Sequence, residues 1–115
     1  QYAHARMCSI LRSGSEYVVA DHYDLITNEK EIALLKHINE FPAVVADAAL
    51  LRQPHKMCNY IQKLASYFHS FYNECKVLDA ENKELSSQRL ALVTASKITL
   101  KNALNLIGVH APEKM

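Results

Sequence analysis

From Met57 to Cys75 the apolar residues Met57, Ile61, Leu64, Phe68, Phe71 and Cys75 recur at alternating spacings of four and three. Only a long helix lines up such positions on one face, and the resulting seam must pack on neighbouring helices to leave water. The composition agrees. Gly14 and Gly108 are the two glycines, prolines number three, and half of the 115 residues are apolar, which favours helices. That length fits one hydrophobic core, so residues 1–115 read as a single domain. Phosphate loops of the GxxxxGKS or GxGxxG type need clustered glycines, and here the two stand at opposite ends of the chain. No apolar run approaches the ~18–20 residues of a membrane span. The opening Gln1-Tyr2-Ala3-His4-Ala5-Arg6 is amphipathic and charged, unlike a signal peptide. It begins without Met and inside a helical pattern, so a piece of a longer protein is expected.

The net charge of +1 hides an asymmetry. Residues 1–53 carry five basic against seven acidic side chains, and residues 54–115 carry eight against five. The C-terminal half is the expected face for an anionic partner, although so small an excess does not support tight nonspecific nucleic-acid binding. Cys8, Cys58 and Cys75 are odd in number and lack CxxC spacing. Seventeen residues of helix hold Cys58 and Cys75 roughly 25 Å apart, too far to bridge, and a reduced, cytoplasmic protein fits best. His55 and Cys58 stand at i, i+3, but two ligands make no metal site; a buried, inert Cys58 is expected.

Five helices follow from the pattern. Ala3, Met7, Ile10 and Leu11 define the first, ending near Ser13-Gly14-Ser15, and residues 14–27 read as a loop. Asn28 and Glu31 form a capping box for a second helix with Leu34, Ile38 and Phe41 on one stripe. A third should run from about Pro42 to Arg52 with Val44, Val45, Ala48 and Leu51 inward, and Pro54 starts the long fourth. After a connection over 76–82, capped by Asp79 or Asn82, the fifth runs from about Lys83 to Ile107. Its polar strip is Thr94, Lys97, Lys101 and Asn105, its apolar sectors are broad enough for a central place, and Gly108 fits its cap. The fold class is all-α.

Little of this pattern carries chemistry. Asp21-His22-Tyr23-Asp24 gathers acid, base and phenol in a loop without a visible partner, GxSxG is absent, and no nucleophile stands at recognisable spacing from a base. No catalytic residue is assigned. The aromatics say more. Tyr60, Tyr67, Phe68, Phe71 and Tyr72 crowd one helix and are mostly core, but Tyr72 lies at its end, four residues before Lys76. An exposed ring there can stack on an unpaired base while the cation meets phosphate.

Three stretches together resemble the C-terminal domain of arginyl-tRNA synthetases. They are Gln1-Tyr2-Ala3-His4-Ala5-Arg6-Met7; the block from Phe41-Pro42-Ala43-Val44-Val45 through Arg52-Gln53-Pro54 to Phe68-His69-Ser70-Phe71-Tyr72; and Arg89-Leu90-Ala91-Leu92 with Leu106-Ile107-Gly108 and Glu113-Lys114-Met115. The likeness takes in the chain except residues 14–27. It implies a five-helix bundle of the class I synthetase type, the DALR-type anticodon-binding domain, gripping the anticodon stem and loop of arginine tRNA. The full-length enzyme would join arginine to that tRNA using ATP with magnesium, on a catalytic domain upstream in the same chain, as a monomer. The family's HIGH-like and KMSKS-like signatures are not in this chain, so the fragment alone is expected to be non-catalytic and to hold no cofactor. By the same resemblance, Tyr72 matches an aromatic used against an anticodon base, and Met115 matches a terminal Met that reaches the same loop. Lys76 stands where some members have a second aromatic, and Lys114 where the usual residue is Arg. Tyr72, Lys76, Met115 and Arg6 are the candidate tRNA-binding residues. The other reading of the residues is a non-catalytic helical protein-interaction module whose seam binds partner helices.

Overall fold

The computed structural model describes residues 2–51 and 54–108. Five helices account for its regular structure: α1 Tyr2–Ser13, α2 Glu29–Asn39, α3 Phe41–Leu51, α4 Pro54–Glu74 and α5 Lys83–Leu106. Among the described residues there is no strand, and no helix is long and apolar enough to cross a membrane.

The α4 seam forms the centre. Met57, Ile61, Leu64, Phe68, Phe71 and Cys75 are all buried, and they join Met7 and Ile10 of α1, Leu34 of α2 and Leu90, Leu92, Leu100 and Leu104 of α5 in one core. A seam spent in this way is not available to a partner's helix, which removes the basis of the protein-interaction reading. Helix α2 opens on the expected capping box: the Asn28 side chain accepts from the Lys30 amide, and the Glu31 carboxylate accepts from the Asn28 amide at 3.0 Å. Glu40 alone separates α2 from α3. Val44 and Val45 pack on the core; Arg52, Gln53 and the side chain of Leu51 lie outside the described residues. Helix α5 starts at Asn82, whose side chain accepts from the Leu85 amide. Asp79 instead accepts from the Glu81 amide within the connection. Beyond the α5 terminus Gly108 takes φ +78°, a left-handed conformation that L side chains rarely adopt.

Gly14 has a different reason. A Cβ there would meet Leu78 at 2.9 Å and Leu90 at 3.0 Å, so its absence lets the end of α1 close on the 76–82 connection and on α5. Of the polar strip on α5, Lys101 and Asn105 are exposed, whereas Thr94 and Lys97 are half-buried and the Thr94 hydroxyl donates to the Leu90 carbonyl. Ile98 and Leu106 also face outward, so the helix is central without being wrapped.

Two expectations need correction. Cys58 is exposed rather than buried, because it follows Met57 and so points about 100° away from the seam. Lys76 is not on α4, which ends at Glu74, so Tyr72 and Lys76 are not a one-turn helical pair. All three cysteines are free, and burial pushes the Cys75 thiol up, with Glu31 adding to the shift.

Candidate nucleic-acid interface

Along α1, Arg6, Ser9, Ile10 and Ser13 face the last turn of α4 and the turn that follows it. Ala3, Met7 and Ile10 carry α1's buried stripe, which leaves Tyr2 and Arg6, one turn apart, on its flank. On α4, Tyr72 follows the fully buried Phe71 and is therefore turned to the edge of the seam, half-buried. Its ring stacks on Phe68 at 6.2 Å between centroids, with the planes 21° apart. The Arg6 guanidinium stands over the Tyr72 ring at 4.9 Å and over the Tyr2 ring at 5.4 Å. Arg6 Nη2 also donates to the Tyr2 hydroxyl at 3.1 Å, which pushes the guanidinium pKa further up. Its Nε is shielded and has no hydrogen-bond partner among the described residues. Tyr2, Arg6 and Tyr72 thus form a stack of ring, cation and ring.

Beside it runs a groove of about 230 Å³ lined by Arg6, Ser9, Ile10, Ser13, Tyr72 and the Val77-Leu78 turn. That is smaller than the ~300–1,000 Å³ of a small-molecule pocket. A larger concavity of about 590 Å³ lies between α2, α3 and α4, but it mixes Lys36, Lys56 and Lys63 with Glu40 and Asp47. Lys63 is nine residues before Tyr72, which on a helix places it on the opposite face of α4.

The sequence-derived residues are thus only partly gathered. Arg6 and Tyr72 come together, Lys76 is exposed just beyond the end of α4, and Met115 lies outside the described residues. Sequence reading missed two participants. Tyr2 holds Arg6, and the spacing of four was the available signal. Arg89 reaches the carbonyl of Lys76 from α5 at 2.7 Å, and no local pattern announces that contact.

Exposed rings beside cations are the groups on which single-stranded nucleic acids stack and pair their charge. The chain belongs to the DALR anticodon binding domain family, which matches residues 1–115. It is similar to the arginine–tRNA ligase of Anoxybacillus flavithermus, 60% identical over 119 aligned residues that take in all of this chain and 21% of that protein. Likeness to the arginine–tRNA ligase of Bacillus subtilis is 58%, with the same coverage. Among solved structures it is similar to Thermus thermophilus arginyl-tRNA synthetase (TM-score 0.88, 35% identity, 99% of this chain and 20% of that one). The arginyl-tRNA synthetase of Plasmodium falciparum gives a TM-score of 0.77 at 33% identity over 99% of this chain and 20% of its own. The chain spans about a fifth of the length of the curated relatives it matches.

Proposed function

We propose that residues 1–115 are the single anticodon-binding domain of an arginine–tRNA ligase and grip the anticodon stem and loop of arginine tRNA. The full-length protein would be a cytoplasmic monomer that attaches arginine to that tRNA using ATP, with the catalytic domain upstream. The observation that carries this reading is the Arg6 guanidinium over the half-buried Tyr72 ring. A base entering the groove takes the place of the Arg6 guanidinium on the Tyr72 ring, and the displaced cation turns to the adjoining phosphate. Lys76 supplies charge beside them for a phosphate, and Met115 is assigned to the same loop.

ATP and its magnesium do not fit the residues described. Gly14 is packed under Leu78 and Leu90, where no phosphate can approach, and Gly108 caps α5. No group of three or more metal-ligating side chains gathers among the described residues. Adenylate formation is therefore assigned to the upstream part.

The test is Tyr72→Ala in the full-length enzyme, with melting followed in parallel. Losing one stacked base costs ~1–3 kcal/mol, so kcat/KM for arginine tRNA should fall about five- to hundredfold while the melting temperature moves modestly. Deletion of Met115 should weaken recognition in the same direction. Unchanged tRNA recognition in folded Tyr72→Ala would defeat the site.

A further inference from the structure

We infer that Arg89 is a positioning residue for the RNA contact: from α5 it clamps the turn after α4 and so sets where Tyr72 and Lys76 stand. The inference rests on the tRNA reading above. A carbonyl in the turn that follows a helix has no ladder partner and must be satisfied by a side chain or by water. Helix α4 ends at Glu74, and Lys76, two residues on, carries an exposed side chain. Arg89 Nη1 donates to the Lys76 carbonyl at 2.7 Å, while Arg89 Nε donates to Glu31 Oε2 at 2.7 Å. The Glu31 side chain is only 1% exposed, and its other oxygen accepts from the Asn28 amide that opens α2. One guanidinium therefore ties the start of α2, the body of α5 and the end of α4 to a single point.

The residue type matters. A planar fork presents two donors at a fixed angle, whereas a lysine ammonium is a point charge on a flexible stem. The Arg89 side chain is 14% exposed, so solvent and salt screen this pair less than an open surface pair. Farther along the same connection, the Ser86 hydroxyl accepts from the Asp79 amide at 2.8 Å and donates to the Asp79 carbonyl at 3.1 Å. The segment is thus pinned at its start and at its middle, and Arg89 holds the start, which carries Lys76.

Two variants of the full-length enzyme separate positioning from folding. Arg89→Lys keeps the charge beside Glu31 but cannot hold both acceptors in the same geometry. Glu31→Gln with Arg89→Met removes both charges, so no buried charge is left alone, and Gln can still accept from the Asn28 amide. For each, Kd for arginine tRNA should rise about tenfold, the scale of one charge-assisted hydrogen bond. Amide exchange over residues 76–82 should quicken while the α4 seam stays protected. Wild-type affinity in either folded variant, or affinity lost only in step with the folded fraction, overturns the clamp. Tyr72→Ala measured alongside separates the two ideas: if it too leaves affinity intact, the tRNA site itself is wrong, and if it alone weakens binding, only the clamp fails.

Discussion

The α4 seam and the loop over residues 14–28 both rest on the rest of the bundle, yet they are held in different ways. The seam puts Leu64, Phe68 and Phe71 fully out of water. Complete burial of such side chains is worth ~1.5–3 kcal/mol each, and that force has no direction. The loop leaves Val18 80% and Val19 47% exposed, buries Ile26 and packs Tyr17 and Tyr23 half-buried against the core. Polar groups on α5 hold it as well. Gln88 is buried, accepts from the Leu25 amide at 2.8 Å and donates to Asp24 at 3.0 Å. One residue earlier, the Ser87 hydroxyl donates to the Val18 carbonyl and the Ser87 carbonyl accepts from the Ala20 amide. The seam is held by area, the loop by a smaller area together with hydrogen bonds to α5. They should therefore break differently: a seam loses stability through cavities, a loop through the loss of those hydrogen bonds.

The sharpest way to break that contrast is Phe68→Ala. A Phe-to-Ala change in a packed core costs ~3–5 kcal/mol, which should be read as one cooperative loss in a denaturant titration of the whole bundle. A loss below about 1 kcal/mol would mean that the seam is not the principal source of stability, since surface changes already reach ~0.5 kcal/mol.

Gln88→Ala should come next. Each hydrogen bond lost is worth ~0.5–1.5 kcal/mol net, and here the partners are a loop amide and the largely exposed Asp24 carboxylate. The expected signature is local, with faster amide exchange at Leu25 and its neighbours and little change along α4. Uniform loosening of both regions would show that the loop and the seam are not held separately.

The smallest effect concerns His22, whose Nδ1 lies 2.9 Å from Asp21 and whose Nε2 lies 3.3 Å from Asp24, the carboxylate that Gln88 also holds. The hydrogen bond to Asp21, with Asp24 and Glu84 adding, raises the His22 pKa above its usual value. The favoured form is the charged one. Its contribution to the loop is complete below the ordinary imidazole value of about 6.5 and disappears as pH rises through the raised value. Because these groups are exposed, salt should screen the effect. A proton NMR titration should find His22 titrating late, and Asp21→Asn should bring it down. An ordinary titration in the unmodified chain would remove His22 from the account of the loop.

How much of the site could be read from sequence depends on the distance between its partners along the chain. The edge position of Tyr72 was legible because a residue following the seam must turn away from it, and the Tyr2–Arg6 spacing of four was visible. The approach of Arg6 to Tyr72 was not, because nothing in the sequence fixes how α1 crosses α4. Lys76 as a one-turn partner of Tyr72 was misread for a related reason: α4 stops at Glu74, and the turn that follows is held by an arginine thirteen residues away.

The sequence by itself determined the helices, their caps and the buried face of each. Those depend on the 3.6-residue period and on neighbours within four positions, such as Asn28 with Glu31 or Met57 with Ile61. Only the tertiary structure decided that Gln88 reaches back to a loop more than sixty residues earlier, and that Arg6 stands on Tyr72. Hydrophobic patterning selects a face without selecting a partner, whereas a stacked cation or a shared carboxylate needs specific atoms to arrive at one place. Their arrival is a property of how the helices cross.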